Sequence, residues 1–219
     1  MRRHTRDHGK RQPSGPDGGK NQSMQRELRG KIASAAARLI AEDGVTNFAA
    51  ARLKAARQMG ITENGALPDD REIDAALRLH QALFQGDSQP QECRALRRLA
   101  VEAMRWLDRF SPWLTGAVLN GTANRFSEIE LEIISADAKQ VALFFMNEHV
   151  PFDTRVKHAG QPQRGLMPED IVIYVVTFNE VPVVITLYSQ HAERQAHHHG
   201  ASLKHARLQL VDVEALLAK

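Results

Sequence analysis

The spacing of apolar residues changes near Trp113, and that change constrains the fold of this 219-residue chain more than any other feature. Before it, apolar side chains recur every three to four residues, which lines them up on one face of a helix. After it come short apolar runs and strict alternation, the pattern of strands whose successive side chains point to opposite faces. The order of elements predicts an α+β fold, a mixed sheet backed by helices and preceded by a helical region. No Gly-x-Gly-x-x-Gly fingerprint supports a doubly wound dinucleotide fold.

Residues 1–23 combine Arg2, Arg3, Arg6, Lys10 and Arg11 with Pro13, Pro16 and the stretch GPDGG. So little apolar material predicts a flexible tail. From Met24, Leu28, Ile32, Ala35, Ala36, Leu39 and Ile40 predict a helix ending near Gly44. A second helix is expected over residues 48–59, capped by Thr46 or Asn47, a third after Pro68, and a fourth over residues 90–110. Trp106, Phe110 and Trp113 read as a packing seam between these helices and the first strand. The chain therefore divides into a tail (1–23), a helical region (24–110), a sheet-bearing core (111–190), and a His-rich loop with a C-terminal helical segment (191–219).

In the core, strands are expected over residues 114–119, 128–134, 152–156, 171–178 and 181–187, with a helix over 135–148. Asn179-Glu180 suits a tight hairpin turn. Helical turns over residues 203–217 would pack back on the body.

Charge follows the same division. Residues 1–60 carry 13 Lys and Arg against 5 Asp and Glu, whereas residues 61–219 carry 16 against 21. A basic front end can meet a nucleic-acid or protein partner. The helices around residues 28–60, with Arg52, Lys54 and Arg57, also allow a helix-turn-helix reading. No run approaches the roughly 18 apolar residues needed to span a bilayer, so no membrane partner and a cytoplasmic location are expected. One cysteine, Cys93, excludes an internal disulfide and fits a reducing compartment. The histidines 191, 197, 198, 199 and 205 lack the enforced geometry of a structural zinc centre and read as incidental metal affinity or a pH-sensitive surface.

The chemistry concentrates in TGAVLNGTANRFSEIELEII, residues 115–134. Glu128, Glu130 and Glu132 share one strand face while Ile129, Leu131 and Ile133 share the other. Gathered carboxylates repel, so the arrangement suggests a divalent cation, an acid–base pair or a merely solvated edge. Hard oxygen ligands suit Mg2+ completed by phosphates and water, and the Gly-containing turn before them offers backbone N–H groups to those phosphates.

The words GAVLNGTA and SEIEL resemble the pattern GS-x-x-x-GTA-x-x-x-SDIDL of the nucleotidyltransferase-like superfamily, over roughly residues 108–190. The resemblance implies a nucleotidyltransferase-like core in which Glu128 and Glu130 bind Mg2+, or Mn2+, and serve catalysis. It puts Gly116 and Ala117 at the phosphate-facing turn and Gly121, Thr122 and Ala123 in the adjoining small-residue motif of the nucleotide site. Arg125, by its own position after GTAN, reads as a cation for phosphate or a solvent-exposed one. The implied reaction transfers a nucleoside monophosphate from a nucleoside triphosphate to an acceptor that the sequence does not identify. Three departures stand out. Ala117 replaces a serine, both aspartates are glutamates, and the strand VPVVITLY places Val184 where a third carboxylate would activate the acceptor. Glu180 or Glu132 would have to substitute for it. The alternative is a noncatalytic nucleotide-binding or regulatory protein that keeps the fold. Asn147 and Arg155 join the site if the helix-to-strand junction faces it.

Overall fold

The computed structural model describes residues 17–61, 67–135, 137–158, 170–189 and 206–218. Helix α1 (Asp17–Glu42) starts seven residues before the expected Met24 and is followed by α2 (Phe48–Gln58), α3 (Asp70–Phe84) and α4 (Ser88–Trp106). Their ends follow from local chemistry. The Asn47 side chain accepts from the Ala50 N–H to start α2. Asp69 and Glu72 form a reciprocal capping box on α3, satisfying two N–H groups that a helix start otherwise leaves open.

Helices α1, α2 and α3 enclose their own core around Ile32, Ala36, Ala51, Ala55, Ile73 and Leu77, all at most 1% exposed. Alanines dominate the α1–α2 contact, so these helices approach closely. Helix α4 belongs elsewhere: Leu96, Ala100, Met104 and Leu107 are part of the larger core under the sheet.

Among the described residues that sheet has five strands: β1 (Trp113–Thr115), β2 (Ile129–Ile134), β3 (Phe152–His158), β4 (Asp170–Phe178) and β5 (Val181–Tyr188). Their spatial order is β1-β2-β5-β4-β3, with β2 and β5 parallel and every other pairing antiparallel. The hairpin between β4 and β5 turns on Asn179 and Glu180, both left-handed at φ 48° and 66°. Two positive φ values in succession match the twist of antiparallel strands, and here no glycine supplies them.

Alternation assigns the two sheet faces. Ile129, Leu131, Ile133, Tyr174, Val176, Val183, Ile185 and Leu187 are buried in the core, with α4, α6 (Ala138–Asn147) and α7 (Leu210–Leu217) supplying the cover. Phe145 of α6 stacks on Trp106 at 5.5 Å and meets Tyr174 edge-on at 5.7 Å, and Phe110 meets Phe144 edge-on. Trp106 and Phe110 thus pack against α6, whereas Trp113, expected in the same seam, lies under Arg207 instead. The opposite face carries Glu130, Glu132, Val184 and Thr186, and on it the candidate site is built.

One expected strand is replaced. Residues 116–120 form a short helix, α5 (Gly116–Asn120), because Gly116 takes φ +69° and turns the chain out of β1. Val118 and Leu119 are then buried as helical residues of the main core. The α+β class, with helices preceding a multi-strand sheet, stands as expected.

Candidate functional site

Three strands bring the distant parts of the site together. Thr115 pairs with Glu130 across β1 and β2, and Glu130 pairs with Val184 across β2 and β5. Gly116 follows directly, and a Cβ added there would overlap the Glu130 carboxylate. The glycine is thus required twice, for its left-handed φ and for the close approach of Glu130 to the backbone.

The loop from α5 to β2 is held by side chains from α3 and α4. Arg97 donates to the carbonyls of Val118 (3.0 Å) and Leu119 (3.1 Å), and Arg78 to that of Asn120 (3.1 Å). Gln89 donates to Gly121 (2.9 Å) and Ala123 (2.8 Å), and Gln81 to Thr122 (2.8 Å). Six consecutive carbonyls, residues 118–123, are therefore satisfied by four side chains. Each buried carbonyl left without a partner would cost about 1–3 kcal/mol.

The N–H groups of this loop are committed as well. Those of Gly121, Thr122 and Ala123 donate to the Ala117 carbonyl at 2.9–3.1 Å, and that of Asn124 donates to the Ser127 hydroxyl at 3.0 Å. These four N–H groups are therefore not open to a phosphate; the phosphate-facing turn that the resemblance implies lies before them, at Gly116 and Ala117. The Asn124 amide in turn donates to the Ile40 carbonyl of α1 (3.1 Å) and accepts from the Phe126 N–H (2.9 Å).

A pocket of about 330 Å³ lies where the helical core meets this sheet face. The helical side contributes Ile40, Gly44, Val45, Thr46, Asn47, Phe48 and Leu77, and the sheet side Ala117, Thr122, Glu128, Glu130, Arg155 and Val184. Phe126, whose ring occupies the space a side chain at Gly44 would need, closes one edge. The Thr46 hydroxyl donates to Glu128 Oε1 at 3.4 Å, linking the α1–α2 loop to a candidate ligand. The volume lies within the range of small-molecule sites; the helical wall mixes Val45 and Phe48 with the polar Thr46 and Asn47, and the sheet wall carries the charged groups Glu128, Glu130 and Arg155.

The sequence-derived candidates separate in space. Glu128, Glu130, Ala117 and Thr122 line the pocket, and Gly116 lies under the Glu130 carboxylate. Gly121, at φ +82°, caps α5 and faces Arg97 rather than the pocket. Arg125 sits outside the pocket lining, its guanidinium 4.6 Å from the Phe126 ring centroid. Arg155 joins the pocket although β3 is the far edge of the sheet, whereas Asn147 is not among the lining residues.

Glu132 departs from its expectation most clearly. It shares the face of Glu130 but is only 5% exposed, so it is no part of a solvated acidic edge. Its register partner is Trp113, over whose ring Arg207 stacks at 4.5 Å. Leu208 pairs with Leu114 there, bringing the C-terminal segment over this end of β2. Glu180, in the β4–β5 turn, also lies outside the pocket lining. The histidines 191, 197, 198, 199 and 205 lie outside the described residues.

Sequence reasoning missed Gln81 and Gln89. Their signal was a glutamine on an otherwise apolar helix face, one turn after Leu77 and one turn before Cys93 respectively. Amides at such positions have buried carbonyls to satisfy.

The donor set fits one kind of Mg2+ site and not another. Two carboxylates in an open pocket can hold an ion whose remaining ligands are phosphate oxygens and water. A preformed cage is a different matter: among the described residues, no group of three His, Cys, Asp or Glu side chains is placed to hold a metal ion. Nor, among the described residues, is any helix long and apolar enough to cross a membrane. Comparison of the chain with protein-family models, with curated proteins and with solved structures gives no match.

Proposed function

We propose that this chain is a divergent nucleotidyltransferase-like protein whose pocket binds a nucleoside triphosphate with Mg2+ or Mn2+, and that it acts by binding rather than by transfer. The supporting observation is that Ala117, Thr122, Glu128 and Glu130, all from the motif segment, line one pocket together with the distant Val184. Glu128 and Glu130 would hold the cation, which would neutralise phosphate charge. On the helical wall, the apolar Val45 and Phe48 suit the base.

Val184 is what supports binding over chemistry. It stands beside Glu130 on the parallel strand, where the family resemblance implies the carboxylate that activates an acceptor. An isopropyl group neither ligates a metal nor accepts a proton, and Glu132 is buried away from the pocket lining.

The second reading is transfer of a nucleoside monophosphate to an acceptor. One observation favours it: both glutamates line an open pocket within the size range of ligand sites. Of the cations named for a helix-turn-helix reading, Arg52 pairs with Asp70 (3.1 Å) and Lys54 with Asp43 (3.5 Å) within the chain.

The test is equilibrium binding of each labelled nucleoside triphosphate with Mg2+, Mn2+ or chelator, followed by assay of pyrophosphate release with and without cell extract. Saturable, metal-dependent binding without pyrophosphate is expected. Pyrophosphate release abolished by Glu128→Gln would move the assignment to transfer. No binding of any nucleotide would overturn both.

A further inference from the structure

We propose that Arg155 is the specificity-determining residue of this pocket, selecting ligands that carry a polyphosphate over the corresponding nucleosides. The inference rests on the nucleotide reading above and adds what distinguishes one ligand from another.

The argument is one of charge and position. The sheet rows run Glu130, Val184, Val175, Asp153 and, one step along, Glu132, Thr186, Ile173, Arg155. Directly paired residues point to the same face, so Arg155 shares the face that bears Glu130. Three strand spacings of about 4.8 Å separate the backbones of β2 and β3, yet both residues line the same pocket. The pocket thus has a carboxylate end and a guanidinium end. Between them the sheet presents the uncharged side chains of Val184 and Val175.

A bare cation would need only the carboxylate end. A nucleoside would use only the helical wall. A metal-bound polyphosphate uses both charged ends, since its cation is drawn to Glu128 and Glu130 while its far phosphate meets the guanidinium. The electrostatic sum makes this contact necessary: two carboxylates, a triphosphate and one divalent cation together are strongly negative. Arg155 is the one cationic side chain among the described lining residues that offsets that charge. A guanidinium offers forked donors matched to phosphate oxygens, which an ammonium does not.

A charged residue on an edge strand also has a purely structural use, since it discourages pairing with another sheet. β3 is an edge strand, and Lys157, two residues on from Arg155, points to the same face without lining the pocket. Lys157 is therefore the internal control. Both side chains are exposed, so their replacement leaves the fold intact.

The experiment measures binding of nucleoside triphosphates, the matching nucleosides and inorganic tripolyphosphate to the full chain with Mg2+. It compares wild type with Arg155→Ala, Arg155→Lys and Lys157→Ala. Arg155→Ala is expected to weaken triphosphate and tripolyphosphate binding by about tenfold or more, the loss of a charge-assisted contact, with nucleoside binding unchanged. Arg155→Lys should fall between, and Lys157→Ala should match wild type. Triphosphate binding unchanged in Arg155→Ala, or an equal loss in Lys157→Ala, would overturn the proposal and leave the nucleotide reading standing. A wild-type protein that binds no phosphate compound would overturn both.

Discussion

Replacing Val184 by Asp would place a carboxylate next to Glu130, because the two residues are register partners on parallel strands. Adjacent strands lie about 4.8 Å apart. Two charges at roughly 5 Å interact by about 1 kcal/mol in water and about 3 kcal/mol at an effective dielectric of 20. Glu130 is exposed, which puts the expected repulsion toward the lower figure. Val184→Asn provides the reference, since it loses the same apolar contact and gains the same shape without charge. Urea unfolding should then place Val184→Asp about 1 kcal/mol below Val184→Asn at low salt. The gap should narrow at 1 M salt, where the screening length falls to about 3 Å.

Divalent cation supplies the second half of this prediction. With three carboxylates facing one pocket, Mg2+ should raise the midpoint of Val184→Asp more than that of Val184→Asn, because a ligand stabilises the state that binds it. The engineered acid also supplies the proton acceptor that valine cannot, so metal-dependent pyrophosphate release should appear or rise. Equal stability of Asp and Asn at low salt, with no differential response to Mg2+, would refute the placement of Glu130 beside position 184. The account of the missing third carboxylate would fall with it.

Gly116→Ala should cost about 1–2 kcal/mol for a side chain at φ +69°, and should also displace the Glu130 carboxylate and abolish metal-dependent nucleotide binding. Gly60→Ala is the matched control, with the same φ and open space around the added Cβ; if both variants bind nucleotide alike, Gly116 does not position Glu130. For Cys93, burial raises the thiol pKa above its ordinary 9.0, outweighing the opposing effect of Arg97. The native thiol should therefore resist aromatic disulfide reagents at pH 8 and react once unfolded in urea. Because the folded value is the raised one, stability should hold below pH 9 and decline above it; fast labelling of the native protein would contradict this.

The sequence was most informative where one rule decided the outcome. Alternation located β2, β4 and β5, and caps at Asn47 and Asp69 marked helix starts through side chains that touch their own backbone. It was least informative over residues 114–119, a short apolar run that fits a buried strand or a buried helix equally well. Gly116 decides between them, and it does so through a carboxylate fourteen residues later that occupies the space of its absent side chain. A pairwise contact of that kind leaves no periodicity to read.

Glu132 illustrates the same limit from the other direction. Alternation correctly puts it on the face of Glu130, but a face is not an exposure. Its burial comes from residues that share no local pattern with it: Trp113 opposite, Arg207 over the indole, and Leu208 bridged to Leu114. The pocket follows this logic throughout. It lies between two hydrophobic cores, each legible from its own helical or strand period, and the seam joining them is polar. There Gln81, Gln89, Arg78 and Arg97 grip one loop, while Asn124 reaches back to Ile40. Hydrogen bonds from side chain to backbone identify the donor in the sequence but never the acceptor, since every residue has a carbonyl. The motif words could therefore name Glu128 and Glu130, while Arg155, held three strands away, required the fold to bring it to them.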